Sequence, residues 1–341
     1  MTGARSAAAR PGPTDTGAFA VQDLDVVLGR GPRAAHVVRQ VSWSVPRGGA
    51  LGIVGESGSG KSQSVLAAAG LAPQPSTVTG RALLRGQDLL ALRPQALRRA
   101  RGRGLGFVFQ DPMTSLNPLL TVERQITEGL EEHLSMTRRA ARARAKELLV
   151  MAGIPDPDRR LDAYPHQMSG GMRQRVMIAT ALSCEPEVLI ADEPTTALDV
   201  TTQAQILDVV RELQHRIGTA VVWISHDLGV VGGLADEVVV MYGGQVVEQA
   251  PTLELHRSPQ HPYTAGLLGA RPRLGERQAE LAAIPGAPPD PRDLPPGCVF
   301  WPRCPVRSDP RCEHERPPLT EVSPGHLART FCRASEEGSR R

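Results

Sequence analysis

The sequence predicts an α/β fold: a parallel sheet covered on both faces, followed by a shorter C-terminal segment of different composition. Three observations carry this reading. Short, largely apolar runs recur at residues 50–55 (ALGIVG), 106–110 (GFVFQ), 188–191 (VLIA) and 220–225 (AVVWIS), the pattern of strands buried on both faces. Helical stretches lie between them, at 62–71, across much of 111–168 and at 200–216, and such alternation builds parallel sheets through helical crossovers. Near Pro251 the composition shifts, and residues 255–341 are rich in Pro, Arg and Cys with few long periodic segments.

Bulk properties narrow the class. A chain of 341 residues is long enough for two domains, and 40% apolar residues supply a full core. Aromatic residues make up only 3%, which disfavours a protein that stacks nucleic-acid bases. The formal charge of +3, from 39 basic and 36 acidic residues, is too balanced for binding phosphate backbones, so no nucleic-acid partner is expected. The longest uncharged stretch, residues 62–80, is polar and broken by Pro73 and Pro75, so no membrane span is expected. Residues 1–18 lack the apolar run of a secretory signal and read as a disordered arm. Five cysteines in this length make no disulfide scaffold, and a cytoplasmic protein is expected.

Only two of the 39 basic residues are lysine, Lys61 and Lys146, and the first sits in a telling pattern. Gly55-Glu56-Ser57-Gly58-Ser59-Gly60-Lys61-Ser62 fits G-x-x-x-x-G-K-[ST] between an expected strand and an expected helix. Glycines in such a loop let backbone N–H groups turn inward on an anion, and the helix N-terminus adds its positive end. Lys61 would set an ammonium on the β- and γ-phosphates of a nucleotide, and Ser62 would offer a hydroxyl to Mg²⁺. Downstream, the run at 188–191 ends in Asp192-Glu193. On a parallel strand beside the strand that leads into the cradle, Asp192 would reach the metal, directly or through water, and Glu193 would polarise an attacking water; alone, the same pair also reads as solvated turn residues.

Further residues complete a family resemblance. Ser169-Gly170-Gly171-Met172-Arg173-Gln174-Arg175, before Asp192, resembles the signature loop of ATP-binding cassette (ABC) ATPases. Gln110 in FVFQDP is similar to the Q-loop glutamine, Ala197-Leu198-Asp199 to the D-loop, and His226 in ISHD to the switch histidine, all in the family's order. The resemblance implies a P-loop NTPase domain with an inserted helical subdomain, binding ATP and Mg²⁺, the metal held through Ser62, Gln110 and Asp192. It implies that Glu193 is the general base, that Gln110 contacts metal and water and reports to a membrane partner, and that His226 holds the γ-phosphate. It also implies a head-to-tail dimer in which Ser169, Gly170 and Gly171 complete the ATP site of a second cassette, with Asp199 at the junction; Asp199 reads equally as a helix N-cap before Val200. Many members stack the adenine on an aromatic residue upstream of the cradle, but GRGPRAAHVVRQVSW holds no Tyr or Phe there; His36 is the weak substitute, and Trp43 reads as a strand residue.

One branch of the family is closer. Tyr164-Pro165-His166-Gln167-Met168, GGMRQRVMIA and DPMTSLNP within the cassette, and HPYT at 261–264, IPG at 284–286 and GCVF with Arg303-Cys304 beyond it, resemble the D-type ATPase of oligopeptide and dipeptide permeases. The expected organisation is an arm at 1–18, a nucleotide-binding domain at 19–254 with its helical subdomain at about 111–175, and an extension at 255–341. That group implies a second ATPase subunit, two transmembrane permease subunits and an extracytoplasmic solute-binding protein, with ATP hydrolysis at the cytoplasmic face of the plasma membrane driving peptide uptake. A nickel or other-solute transporter shares the extension. A soluble ABC ATPase of DNA or ribosomes usually carries two cassettes or a long coiled-coil insert, and this chain shows one cassette and no sustained heptads.

Cys298, Cys304, Cys312 and Cys332 are spaced C-x5-C-x7-C-x19-C, without the tight pair of a structural zinc site, and Cys184 sits apart. Four thiolates can hold zinc or a [4Fe–4S] cluster, or remain reduced thiols; the permease resemblance implies the cluster.

Overall fold

In chain order the strands are β1 (Gly17–Leu28), β2 (Ala35–Pro46), β3 (Ala50–Val54), β4 (Ser76–Leu84), β5 (Gln87–Asp88) and β6 (Leu105–Val108), then β7 (Val188–Asp192), β8 (Ala220–Ser225), β9 (Glu237–Tyr242), β10 (Gln245–Pro251), β11 (Thr320–Ser323) and β12 (His326–Ala328). The structure is a computed structural model describing residues 17–196, 199–270 and 284–334. Most of the expected arm at 1–18, and Ala197 and Leu198 of the D-loop pattern, lie outside the described residues. The principal sheet has the order β11-β12-β10-β9-β3-β8-β7-β6, and its β9-β3-β8-β7-β6 portion is parallel.

The pleat explains why the central runs are apolar throughout. On β3, Ala50 and Val54 enter one core layer while Leu51 and Ile53 enter the other; on β8, Val221 and Trp223 oppose Ala220, Val222 and Ile224. The first layer is closed by helices, through residues such as Ile126, Leu130, Leu148, Val176, Leu182, Ile206 and Leu213. Each fully buried side chain of this kind contributes about 1.5–3 kcal/mol.

The second layer departs from the expected helical cover. It is closed by the helix Lys61–Ala68 and by a four-stranded antiparallel sheet of order β2-β1-β4-β5. β2 and the second half of β1 alternate buried and half-exposed positions because only one of their faces meets the core, while Ala18–Val21 at the start of β1 are buried throughout. Trp43 is a strand residue as expected, buried in β2 with its ring edge-to-face on Phe19 at 5.5 Å.

Between β6 and β7 the chain is helical, with Pro112–Ser115, Val122–Leu134, Arg138–Met151, Pro157–Leu161 and Gly170–Leu182. Thr121 and Thr137 cap the two long helices by accepting from the backbone N–H groups of Arg124 and Ala140. The basic stretch at 138–146 is a solvated, ion-paired face: Arg142 meets Glu123 and Asp162, Arg144 meets Glu147 and Glu185, and Lys146 meets Asp158.

Beyond β10 the chain folds back on the principal sheet. β12 pairs with β10, so the last described strands extend that sheet's edge. Glu248 on β10 is fully buried and gathers this region: it accepts from the backbone N–H groups of Gln260 (2.7 Å) and His261 (2.9 Å) and pairs with His326 Nε2 at 2.7 Å. No described helix is long and apolar enough to cross a membrane.

Candidate active site

The loop 55–60 leaves β3 at its C-terminal end and delivers Lys61 to the first turn of its helix. Gly60 is the helix N-cap at φ +94°, and a Cβ there would stand 2.6 Å from the Val37 carbonyl oxygen, so only glycine fits. Gly55 is as constrained, its Cβ position 2.2 Å from the Met241 oxygen. Lys61 is 4% exposed and its Nζ donates to the carbonyls of Gly55 (2.8 Å) and Glu56 (3.0 Å). Burial lowers the lysine's pKa, while the nearby Glu193 and Asp192 carboxylates oppose that shift.

The strand that ends in the carboxylates is not the neighbour of the cradle strand as expected: β8 lies between β3 and β7, and the aligned ends of these three parallel strands bring Asp192 and Glu193 to this loop. The Ser62 hydroxyl donates to Asp192 Oδ1 at 2.8 Å. Burial raises the Asp192 pKa, and the Ser62 hydrogen bond works against it. Glu193 follows in the left-handed region at φ +45°, its N–H donating to the Ile224 carbonyl at 3.0 Å. A strained backbone of this kind persists only where the surroundings fix it. Three groups converge on one oxygen, Glu193 Oε2: Gln110 Nε2 donates at 3.3 Å, Thr196 Oγ1 donates at 3.1 Å, and His226 Nδ1 stands at 3.5 Å. Lys61 Nζ lies 3.7 Å from the other oxygen. Gln110, Glu193 and His226 share one cleft of about 740 Å³ with Glu56, Ser57, Gly58, Gly60, Lys61 and Ser62. That volume suits a small-molecule ligand.

The signature loop stands apart from this cleft. Ser169 caps the helix Gly170–Leu182, its Oγ accepting from the Met172 N–H at 3.4 Å, and a Cβ on Gly170 would meet nothing within 4 Å. Gly171 packs near the helix Val200–Ile217, with the Thr202 methyl 3.1 Å from its Cβ position. Asp199 is the N-cap of that second helix, accepting from the Thr202 N–H (2.9 Å) and hydroxyl (2.6 Å), and these bonds hold its pKa below the usual carboxylate value.

A brace on the cradle escaped the sequence reading. Arg303 donates to both carboxylate oxygens of Glu56, at 2.6 and 3.0 Å, and to the Tyr242 hydroxyl at 3.2 Å. The Glu56 N–H donates to the buried Tyr263 hydroxyl at 2.8 Å. The Glu56 pairing raises the Arg303 pKa, and burial raises that of Tyr263. Tyr263 and Arg303 fall in the HPYT and RC motifs; the motifs were visible, but nothing local tied them to residue 56.

Cys298, Cys304, Cys312 and Cys332 are buried around one small cavity that His261, Pro262, Phe300, Trp301 and Thr330 also line. Cys312 and Cys332 Sγ are 3.4 Å apart, and burial pushes the Cys298 thiol up to about 11 and the Cys312 thiol up to about 12. Among the described residues no three or more His, Cys, Asp or Glu groups converge as a single metal ion requires. Cys184 is half-buried, away from this cavity.

This fold and cleft define a nucleotide-binding cassette. The ABC transporter family model matches residues 38–196, and the oligopeptide/dipeptide transporter C-terminal region model matches residues 247–312. The chain is 49% identical over 291 residues to the dipeptide transport ATP-binding protein DppD of Bacillus subtilis, covering 85% of this chain and 87% of that one. DppD of Escherichia coli is 47% identical over 310 residues, covering 91% and 94%. The oligopeptide transport ATP-binding protein OppD of Mycobacterium tuberculosis is 48% identical over 90% of this chain, which matches 50% of the longer relative. Among solved structures, the dimeric MJ0796 cassette in a post-hydrolysis state bound to ADP and Pi superposes with a TM-score of 0.61 at 28% identity, covering 69% of this chain and 98% of that one. The chain belongs to the ATP-binding subunits of the ABC transporters, in the oligopeptide/dipeptide branch.

Proposed function

We propose that the chain is the ATP-hydrolysing subunit of an importer for dipeptides or oligopeptides. The carrying observation is the gathering of Lys61, Gln110, Thr196 and His226 around the Glu193 carboxylate in one cleft. The names of the relatives support the peptide cargo.

The backbone of Gly55–Ser62 cradles the phosphates, with the Lys61 ammonium on the β- and γ-phosphates. The oxygens of Ser62, Asp192 and Gln110 are the hard donors Mg²⁺ takes, and the contact between Ser62 and Asp192 already draws two of them together. Held by these oxygens, Mg²⁺ would supply charge neutralisation at the phosphoryl group. Glu193 accepts the proton of the attacking water, and His226 and Gln110 orient water and γ-phosphate. Replacing Glu193→Gln should cut turnover about 10²–10⁴-fold while ATP binding persists; undiminished turnover removes the base assignment.

Ser169, Gly170 and Gly171 serve the γ-phosphate of a second cassette, consistent with the dimeric relative, and Asp199 stands at that junction. The groove lined by Phe107, Phe109, Leu116, Leu120 and Met177, with Phe109 40% exposed, suits an apolar element of one of the two permease subunits beside the Gln110 loop. The chain then works at the cytoplasmic face of the membrane, supplied indirectly by an extracytoplasmic binding protein. In this reading residues 19–254 form the ATPase unit, with its helical insert at about 111–175, and 255–341 form the extension.

Cys298, Cys304, Cys312 and Cys332 hold a [4Fe–4S] cluster. Four buried thiols on one cavity, with Phe300 and Trp301 beside them, are the donor set such a group takes. Bound there it supplies either one-electron chemistry or a structural staple for a loop-rich segment. Visible absorbance and iron content of the purified complex test this; neither iron nor colour overturns it.

A further inference from the structure

We propose that the base of the bound nucleotide rests on a proline strap of the C-terminal extension, Pro288, Pro289 and Pro291, together with Val37, in place of an aromatic ring upstream of the cradle. This rests on the ATP-binding reading above and assigns the part of the ligand that reading leaves without a partner.

The upstream rings are committed elsewhere. Trp43 is buried against Phe19 in the core. His36 has both ring nitrogens engaged, Nε2 with Asp25 Oδ1 at 2.6 Å and Nδ1 with Arg39 Nη1 at 3.0 Å, and it does not line the cleft. Its neighbour Val37 does, and so do the three prolines.

The cleft therefore has two kinds of wall. Lys61, Ser62, Gln110, Glu193 and His226 are groups for phosphate, metal and water. Val37 and the proline rings carry only C–H surface, which matches the flat, weakly hydrated face of a base through dispersion and desolvation.

The strap is also fixed before any ligand arrives. Arg39 Nη2 donates to the Pro291 carbonyl at 3.1 Å, and Arg303 donates to the carbonyls of Pro285 (2.8 Å) and Ile284 (3.3 Å). Asp290 accepts from the Arg292 N–H at 2.9 Å, closing the turn between. Proline φ angles are locked, so little further ordering is lost on binding. Arg303 grips Glu56 of the cradle with the same guanidinium, so strap and phosphate loop share one fastening.

The test compares MgATP with magnesium tripolyphosphate, a ligand with phosphates and no base, on the full chain paired with its companion cassette. Replacing the three prolines by glycine should weaken MgATP binding about tenfold, change tripolyphosphate binding less than twofold and leave kcat within about twofold, so the loss falls on KM. Adding Val37→Tyr to that variant should restore most of the MgATP affinity. Arg39→Ala, which releases one end and keeps the prolines, should cost about threefold for MgATP alone and guards against misfolding of the triple variant. Unchanged MgATP affinity in these variants overturns the proposal, as does an equal loss for both ligands, which would mean the strap only props the phosphate loop. If the unaltered pair binds neither ligand, the ATP-binding reading itself fails.

Discussion

The chain has two glycine-led helix N-termini, at Lys61–Ala68 and at Gly170–Leu182, and their surroundings are opposite. Both present free N–H groups and the positive end of a helix. The first is enclosed: Val37 and Met241 crowd its glycines, Lys61 is buried beside it, and Asp192, Glu193 and Arg303 close in from other elements. The second is bare. Gly170 has open space where a side chain would go, and Ser169 spends its hydroxyl on its own helix. An open terminus of this kind, with no buried lysine in its first turn and its Arg173 guanidinium turned to the Met168 carbonyl, captures little phosphate alone. The contrast is between an enclosed terminus and an open one, the asymmetry that the proposed pairing of two cassettes calls for.

Two substitutions test this asymmetry. The larger effect is expected from Gly170→Glu, which the open space accommodates without refolding. Its carboxylate should leave MgATP affinity of the single chain within about twofold, yet lower turnover of the paired cassettes about 10²-fold by repelling the neighbour's phosphate, the scale of losing one transition-state donor. Titrating ATP on the lone chain and assaying the pair separates the two readouts, and equal losses in both would dissolve the distinction. A smaller effect is expected from Arg303→Ala, which strips the enclosed terminus of its outer brace and leaves Glu56 half-buried and unpaired. Stability should fall by about 2 kcal/mol, below the 3–5 kcal/mol of a fully buried pair because Glu56 keeps some solvent. Lysine at the same position should not rescue, since it cannot grip both oxygens. Thermal melts and ATP titration check both statements.

What the sequence made legible follows chain distance. Gly55–Ser62, Asp192-Glu193 and Ser169-Gly170-Gly171 are contiguous, so the chemistry of each is spelled locally, and the parallel strands that align the first two announce themselves as apolar runs. The antiparallel sheet was hidden because β1 and β2 are long, bulged and half-exposed, a weaker pattern than a doubly buried strand. The brace on Glu56 and the tie from Arg39 to Pro291 span 247 and 252 residues, and no spacing rule foretells a contact made when a distant segment folds back. The four cysteines show the same limit: their spacing resembled no tight ligand pair, yet the loops of the extension bring all four to one cavity.

The buried Glu248 carboxylate has a consequence for anyone wishing to dissect the protein. Two of its partners lie beyond the helix that follows β10 and the third is on β12, so a gene cut after residue 254 removes every donor to that carboxylate and the strand that covers it. Swapping the tail between homologous subunits should succeed only when crossover points keep that carboxylate and its donors from one parent.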